Sequence, residues 1–303
     1  MTEQDSRTTA ICRVGPSGWS YPDWNGIVYP RRRARGFDEL AFIADYFDAV
    51  EVNVSFYRPI PPEMSAQWVR RTAEYSRFKF TVKLHQSFTH ERQDYSRGAV
   101  DQWLAGIKPL SEASRVGCLL LQFPWSFRRS PESVDWLKRL ADDFGGHPLV
   151  VELRHDSWEV PETLAELHGR GISLCNIDQP QLPHCVAPSA HATGRVGYVR
   201  LHGRRADTWF AQRIESFERY NYLYSAEELD GWLPRIRQLG TQCDEVYVFA
   251  NNHYRGQGPA NALQIKAMLE GNKVDVPPQM VEHFPALADV RIADSAGFRE
   301  TLF

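Results

Sequence analysis

Short runs rich in Val, Ile, Leu, Phe and Tyr recur along the chain, and most are separated by stretches with apolar residues at helical spacing. The runs are Ile11–Trp19, Ala49–Tyr57, Phe78–Gln86, Val116–Pro124, Pro148–His155, Ser173–Asp178, Val196–Gly203 and Glu245–Asn252. Their length and composition predict eight β-strands. Leu40, Ile43 and Phe47 mark a helix face after the first strand, Met64 and Trp68 after the second, and Trp103, Ile107 and Leu110 after the third. Ser130-Pro131-Glu132 opens the next helix with a cap and a first-turn proline, ahead of Val134, Leu137 and Leu140. Leu164 and Leu167 mark a short fifth helix, and Leu263 with Ala267 the last. Ser225 with Glu228 forms a capping box before Leu229, Trp232, Leu233 and Ile236, a helix closed by Gly240. Only Gln179–Arg195 lacks periodicity; its three prolines predict a loop in the slot of the sixth helix.

Strands alternating with helices argue for a parallel sheet, and eight strands are the number that closes a (β/α)8 barrel of the TIM type. An open doubly wound sheet is the alternative. It would gain support from a glycine-rich nucleotide fingerprint, but Gly15-Pro16-Ser17-Gly18 has neither of the known spacings. The expected organisation is a flexible tail over 1–10, a barrel over 11–271 and an extension over 272–303 packed outside the barrel.

Side chains of a strand alternate between two faces. Val50, Val52, Val54 and Phe56 share one face of the second strand, which leaves Glu51, Asn53 and Ser55 on the other. With the apolar face against the helices, the barrel interior receives Glu51, Asn53, Lys83, Gln122, Glu152, Arg154, Asp178, Arg200, His202 and Asn251. Barrel interiors are ordinarily filled by branched apolar side chains. Unpaired charges there cost several kcal/mol each, so these groups must pair with one another, with water or with a ligand. Most lie near the ends of their strands, at the C-terminal mouth where barrel active sites sit. A self-satisfied ion-pair network that only fixes the fold is the competing account. Aromatic residues follow the strand ends, among them Trp19, Tyr21, Trp24, Tyr57, Trp125, Trp158, Trp209 and Tyr254, and could stack on a ligand or plug the rim.

The 303 residues carry a net charge of −3, which gives no general attraction to nucleic acid or anionic membrane. No apolar run approaches the length of a membrane span, and Met1–Ala10 lacks a signal-peptide core. The five cysteines are scattered without a CxxC pair, so no cofactor or metal motif emerges and a cytoplasmic location is expected.

Several blocks resemble the YecE-like family, domain of unknown function 72. They are Gly15-Pro16-Ser17-Gly18-Trp19-Ser20-Tyr21 with Trp24-Asn25-Gly26 and Tyr29-Pro30; Val50-Glu51-Val52-Asn53 with Ser55-Phe56-Tyr57-Arg58; and Phe78–Lys83 with Thr89-His90. Leu120–Pro124, Val151–His155 with Trp158, Tyr198–Gly203 and Asn251-Asn252-His253 continue the match over about residues 11 to 271. The resemblance implies a TIM-type barrel and no particular reaction. Ala250 stands where the resemblance leads one to expect phenylalanine, which would widen the wall there.

Three chemistries fit. In the first, a metal-independent enzyme binds a small anionic or polyhydroxylated substrate. Glu51, Lys83, Glu152 and His202 are then the catalytic candidates, and Asn53, Gln122, Arg154, Asp178, Arg200, Asn251, Trp19 and Tyr21 the binding candidates. The second is a metal-dependent sugar isomerase or epimerase using Glu152, Asp178 and His202; Arg154 and Arg200 on the same faces oppose a cation. The third is a binding module without catalysis for a small ligand or a nucleic acid, for which Arg31-Arg32-Arg33-Ala34-Arg35 beside Trp24 and Tyr29 is the candidate grip.

Overall fold

In the computed structural model, which describes residues 10–93, 95–211 and 213–292, eight parallel strands form a nearly closed TIM-type barrel. The strands are β1 Ile11–Pro16, β2 Ala49–Val52, β3 Lys79–Lys83, β4 Val116–Gln122, β5 Leu149–Glu152, β6 Ser173–Asp178, β7 Val196–Leu201 and β8 Glu245–Ala250. Their spatial order is β1-β8-β7-β6-β5-β4-β3-β2, so the ends of the sheet are β1 and β2. A single bridge, Ser17 with Glu51, closes that seam, helped by Gly18 N–H donating to the Glu51 carbonyl at 2.9 Å. Gly15 permits the approach: a Cβ there would lie 1.8 Å from the Ala49 carbonyl oxygen. The β5–β6 ladder is the shortest, with only Val150–Ser173 and Val151–Leu174 in register.

The helices form the outer layer. They are α1 Glu39–Tyr46, α2 Val54–Tyr57, α3 Pro62–Arg71, α4 Arg97–Glu112, α5 Pro131–Phe144, α6 Pro161–Gly169, α7 Ala226–Asp230, α8 Leu233–Gly240, α9 Gln257–Glu270 and α10 Pro278–His283. Caps set their starts: Asp38 accepts from the Leu40 and Ala41 amides, Ser130 from Ser133, and Ser225 with Glu228 forms the full capping box. Gly271, in the left-handed region, ends α9. No helix fills residues 179–195.

Two expectations of local structure fail. The second strand stops at Val52, Asn53 turns helical, and residues 54–57 make one turn of helix, so Val54, Ser55 and Phe56 do not continue the alternation. The single helix over 225–240 is two, α7 and α8. Pro234 has no N–H to give the Asp230 carbonyl, and the chain breaks at Gly231-Trp232.

Outward-facing strand residues such as Phe80, Leu119, Leu121, Val151, Val199 and Val248 pack with the helices in the main core. A second cluster fills the lower barrel interior: Ala49, Cys118, Leu120, Val150, Cys175, Ile177, Val196, Tyr198, Tyr247 and Phe249. Ala250 faces α9, and a Cβ at Gly258 would sit 3.0 Å from its carbonyl oxygen; two small residues therefore let α9 close the wall there. Residues 272–292 run back along α9, burying Val274, Val276, Met280 and Leu287, and reach the loop after β1, where His283 Nε2 meets the Gly26 carbonyl. Residues 1–9 and 293–303 lie outside the described residues. Among the described residues no helix is long and apolar enough to cross a membrane.

Candidate functional site

Above the apolar plug, the ends of β2, β3, β5 and β7 bring five charged groups together. Arg200 is at the centre, with 1% of its side chain exposed. Its Nη2 donates to Glu51 Oε1 at 2.6 Å and its Nη1 to Glu152 Oε2, so one guanidinium joins the two carboxylates. Glu51 is fully buried and also accepts from Ser17 Oγ at 2.6 Å and Tyr198 Oη at 2.9 Å. Glu152, equally buried, accepts from Arg154 Nε at 2.6 Å. Burial alone would raise the Glu152 carboxyl, but Arg200, Arg154 and His202 hold it well below the usual carboxylate range.

His202 lies between Glu152 and Asn251. Its Nε2 is 3.3 Å from Glu152 Oε1, and its Nδ1 is 2.9 Å from Asn251 Nδ2. One neutral tautomer satisfies both contacts: Nε2–H donates to Glu152, and Nδ1 accepts from Asn251. Burial, with Arg154 and Arg200 alongside and only Glu152 opposing them, takes the ring from 6.5 down to about 3. The sequence offered His202 as a catalytic candidate; in the fold its ring stays neutral far below pH 7.

The group that titrates near neutrality is Lys83. It ends β3, and its Nζ sits 3.9 Å from the centre of the Phe56 ring. Among the described residues this Nζ makes no hydrogen bond and no ion pair, because both nearby acids are already taken by Arg200, Arg154, Ser17 and Tyr198. Burial and then Arg200 push its pKa from 10.5 down to about 7. Arg154 is only half engaged: Nε is on Glu152, while Nη2 lies a long 3.5 Å from His202 Nε2, itself a donor. The mouth therefore holds Lys83, Arg154 and Arg200 against Glu51 and Glu152.

Asp178 is not part of this cluster. The register pairs Ile177 with Arg200 and Asp178 with Leu201, so Ile177 points inward and Asp178 outward. There Asp178 accepts from Arg204 Nε and Nη2 at 2.8 and 2.6 Å, from Tyr224 Oη at 3.1 Å and from Trp232 Nε1 at 2.5 Å. Glu152, Asp178 and His202 consequently do not converge on a metal position. Trp19 also turns away, edge-on to Trp68 of α3 at 5.3 Å. Asn53 donates to Ser17 Oγ at 2.9 Å, and Tyr21 donates to the Ser17 carbonyl while stacking on His253. Both support the Ser17–Glu51 contact from the rim. Gln122, nearly buried, donates weakly to the Phe123 carbonyl at 3.4 Å. The basic run lies in the exposed loop after β1, where Arg33 pairs with Glu39.

Sequence reasoning missed three contributors, His90, Tyr198 and Tyr220; Trp209 was already among the aromatics expected past the strand ends. His90, in a wide helical turn after β3, packs edge-on to Phe56 at 4.7 Å; burial and then Lys83 lower it to about 4. Tyr198 shares the inward face of Arg200 and His202, so alternation could have found it. Trp209 and Tyr220 come from the long loop between β7 and α7 and roof the mouth, with Trp209 5.8 Å from the Arg154 guanidinium and Tyr220 6.4 Å from His202. The rim aromatics Phe127 and Trp158 are buried in a stack with Phe123, as plugs. Tyr57 remains exposed. Away from the mouth, His155, Asp156 and His184 have a composition that could hold a metal ion. His155 Nδ1 already accepts from the Ser157 amide, however, and the cluster joins the loop after β5 to the one after β6.

Fold and site together define a TIM-type barrel protein with an ionised, partly self-neutralised C-terminal mouth. The sequence profile described as "Protein of unknown function DUF72" matches residues 13–283, and the chain belongs to that family. It is similar to a DUF72 family protein of Thermotoga maritima, with 36% identity, a TM-score of 0.75, and coverage of 86% of this chain and 99% of that one. A DUF72 family protein of Enterococcus faecalis V583 has 25% identity and a TM-score of 0.76, covering 88% and 98% of the two chains. The UPF0759 protein YunF of Bacillus subtilis is 28% identical over 89% of this chain and 99% of its own.

Proposed function

We propose that the protein is a metal-independent enzyme acting on a small anionic or polyhydroxylated substrate held in the barrel mouth. One observation carries this reading: in a network where every acid is satisfied, the Lys83 ammonium and the outer edge of the Arg154 guanidinium are left without a counter-charge. A bound carboxylate or phosphate supplies it, and Arg154 offers planar, forked donors suited to either. Neutral His202, Asn251 and the roof residues Trp209 and Tyr220 then face the rest of the substrate. Metal chemistry through Glu152 is disfavoured because two guanidinium groups already occupy its oxygens.

Titration calorimetry with inorganic phosphate, glucose 6-phosphate and glucose tests the reading. The two anions should bind and glucose alone should not, and Lys83→Met and Arg154→Met should each weaken binding about tenfold or more. Binding near pH 7 should take up protons, since an anion restores charge to Lys83. Equal binding of glucose and glucose 6-phosphate, or no effect of either substitution, would remove the anion site.

A further inference from the structure

We propose that Lys83 acts covalently: its Nζ condenses with the carbonyl carbon of a small aldehyde or ketone that carries a phosphate or carboxylate, forming an imine. The inference rests on the anion site above, and it names the substrate class and the reacting atom.

The chain has six lysines, at positions 79, 83, 108, 138, 266 and 273. Lys79 donates to the Ser114 carbonyl, Lys266 to Asp48 and the Tyr46 carbonyl, and Lys108 and Lys138 pair with Glu112 and Asp135 near the surface. Lys83 alone of the six lies in the barrel mouth, buried, with an aromatic face beside its Nζ and no polar partner for that nitrogen among the described residues. A lysine kept for an ion pair would have one. Its backbone is fixed: Lys83 is in register with Leu120 of β4, and Ser55 Oγ donates to its carbonyl at 2.6 Å. The stem therefore delivers Nζ to a set place beside the half-free Arg154. Burial and then Arg200 lower its pKa from 10.5 to about 7, which favours the unprotonated amine with its lone pair available.

The step balances without any co-reactant. Nζ adds to the carbonyl carbon, and one amine proton passes to the carbonyl oxygen. The resulting hydroxyl leaves with the second proton as water, and the nitrogen lone pair closes the C=N bond. Protonated, that imine draws electrons from the neighbouring carbon and makes its C–H or C–C bond easier to break. Hydrolysis reverses the sequence and frees the amine.

The experiment is reductive trapping of the intact protein at pH 7 with cyanoborohydride, using pyruvate and dihydroxyacetone phosphate as probes, followed by peptide mapping. Neutral propionaldehyde serves as the control. The expected result is a single reduced adduct of either anionic probe on Lys83, at least ten times more abundant than on any other lysine. Inorganic phosphate should suppress it, and Lys83→Arg should abolish it. Adducts spread evenly over the six lysines, or none on Lys83 with both anionic probes, would overturn the proposal. Because the mapping is done on the wild-type chain, it stands even if the variant misfolds. Phosphate binding by calorimetry without an adduct would overturn only the covalent step. The absence of both would overturn the anion site as well.

Discussion

At the residue scale, the five mouth charges do opposite things to stability. Arg200 joins two buried carboxylates, so Arg200→Met takes from Glu51 the cation it is paired with and leaves Glu152 with Arg154 alone. Urea unfolding should show a loss of about 3–5 kcal/mol. Lys83 has the reverse sign. Its pKa is about 7 in the fold against 10.5 for a free lysine, so between those values the unfolded chain binds the extra proton. Stability should climb as pH rises from about 7 to 10.5, at roughly 1.4 kcal/mol per pH unit, and the full penalty persists below pH 7. Lys83→Met should therefore stabilise the protein at neutral pH by roughly 2–4 kcal/mol and flatten the slope. A variant less stable than the parent at pH 7 would mean that Lys83 is held by interactions other than these. The contrast separates the part of the mouth that holds the barrel together from the part that the proposed function assigns to a ligand.

At the scale of elements, most of the barrel was legible because its helices cover its strands. Wherever a helix packs outside, the outward positions are apolar, and the phase of β2, β3, β4, β5, β7 and β8 followed from Val50, Phe80, Leu121, Val151, Val199 and Val248. β6 misled for the same physical reason. Its outer face is covered by a loop, and loops expose polar groups that need partners. Asn176 accordingly faces outward, accepting from Ser189 Oγ and the His191 amide, and Asp178 faces outward toward Arg204, Tyr224 and Trp232. Polarity on β6 marked the missing helix, not the pocket. His90 and Tyr220 were illegible because they reach the mouth from irregular segments with no periodicity to read. The β1–β2 seam also depends on one residue. Gly15→Ala should cost at least ~3 kcal/mol, because the clash is with backbone that cannot move aside. Gly146→Ala, at a site with open space, is the control and should melt like the parent. Equal melting temperatures for the two variants would show that the seam is not closed there.

At the scale of the whole molecule, the candidate site and the ion pairs that tie the staves together share one end of the barrel. Lys83 of β3, Arg154 after β5 and His202 after β7 stand on different staves of the same wall, with β6 between the last two. That β6 sector is the thin one. β7 and β8 share six paired positions, β5 and β6 only two, and a groove of about 310 Å3 lined by Leu153, Leu164, Leu174 and Val186 lies where a helix would press. Amide hydrogen exchange should register the difference, with the amides of β6 losing protection through partial opening well before those of β8. Uniform protection around the ring would contradict it. A ligand gripped at once by β3 and the segments after β5 and β7 spans the soft sector from outside, like a hoop. Saturation with phosphate should then slow exchange most in β6, a strand that supplies none of the proposed anion contacts.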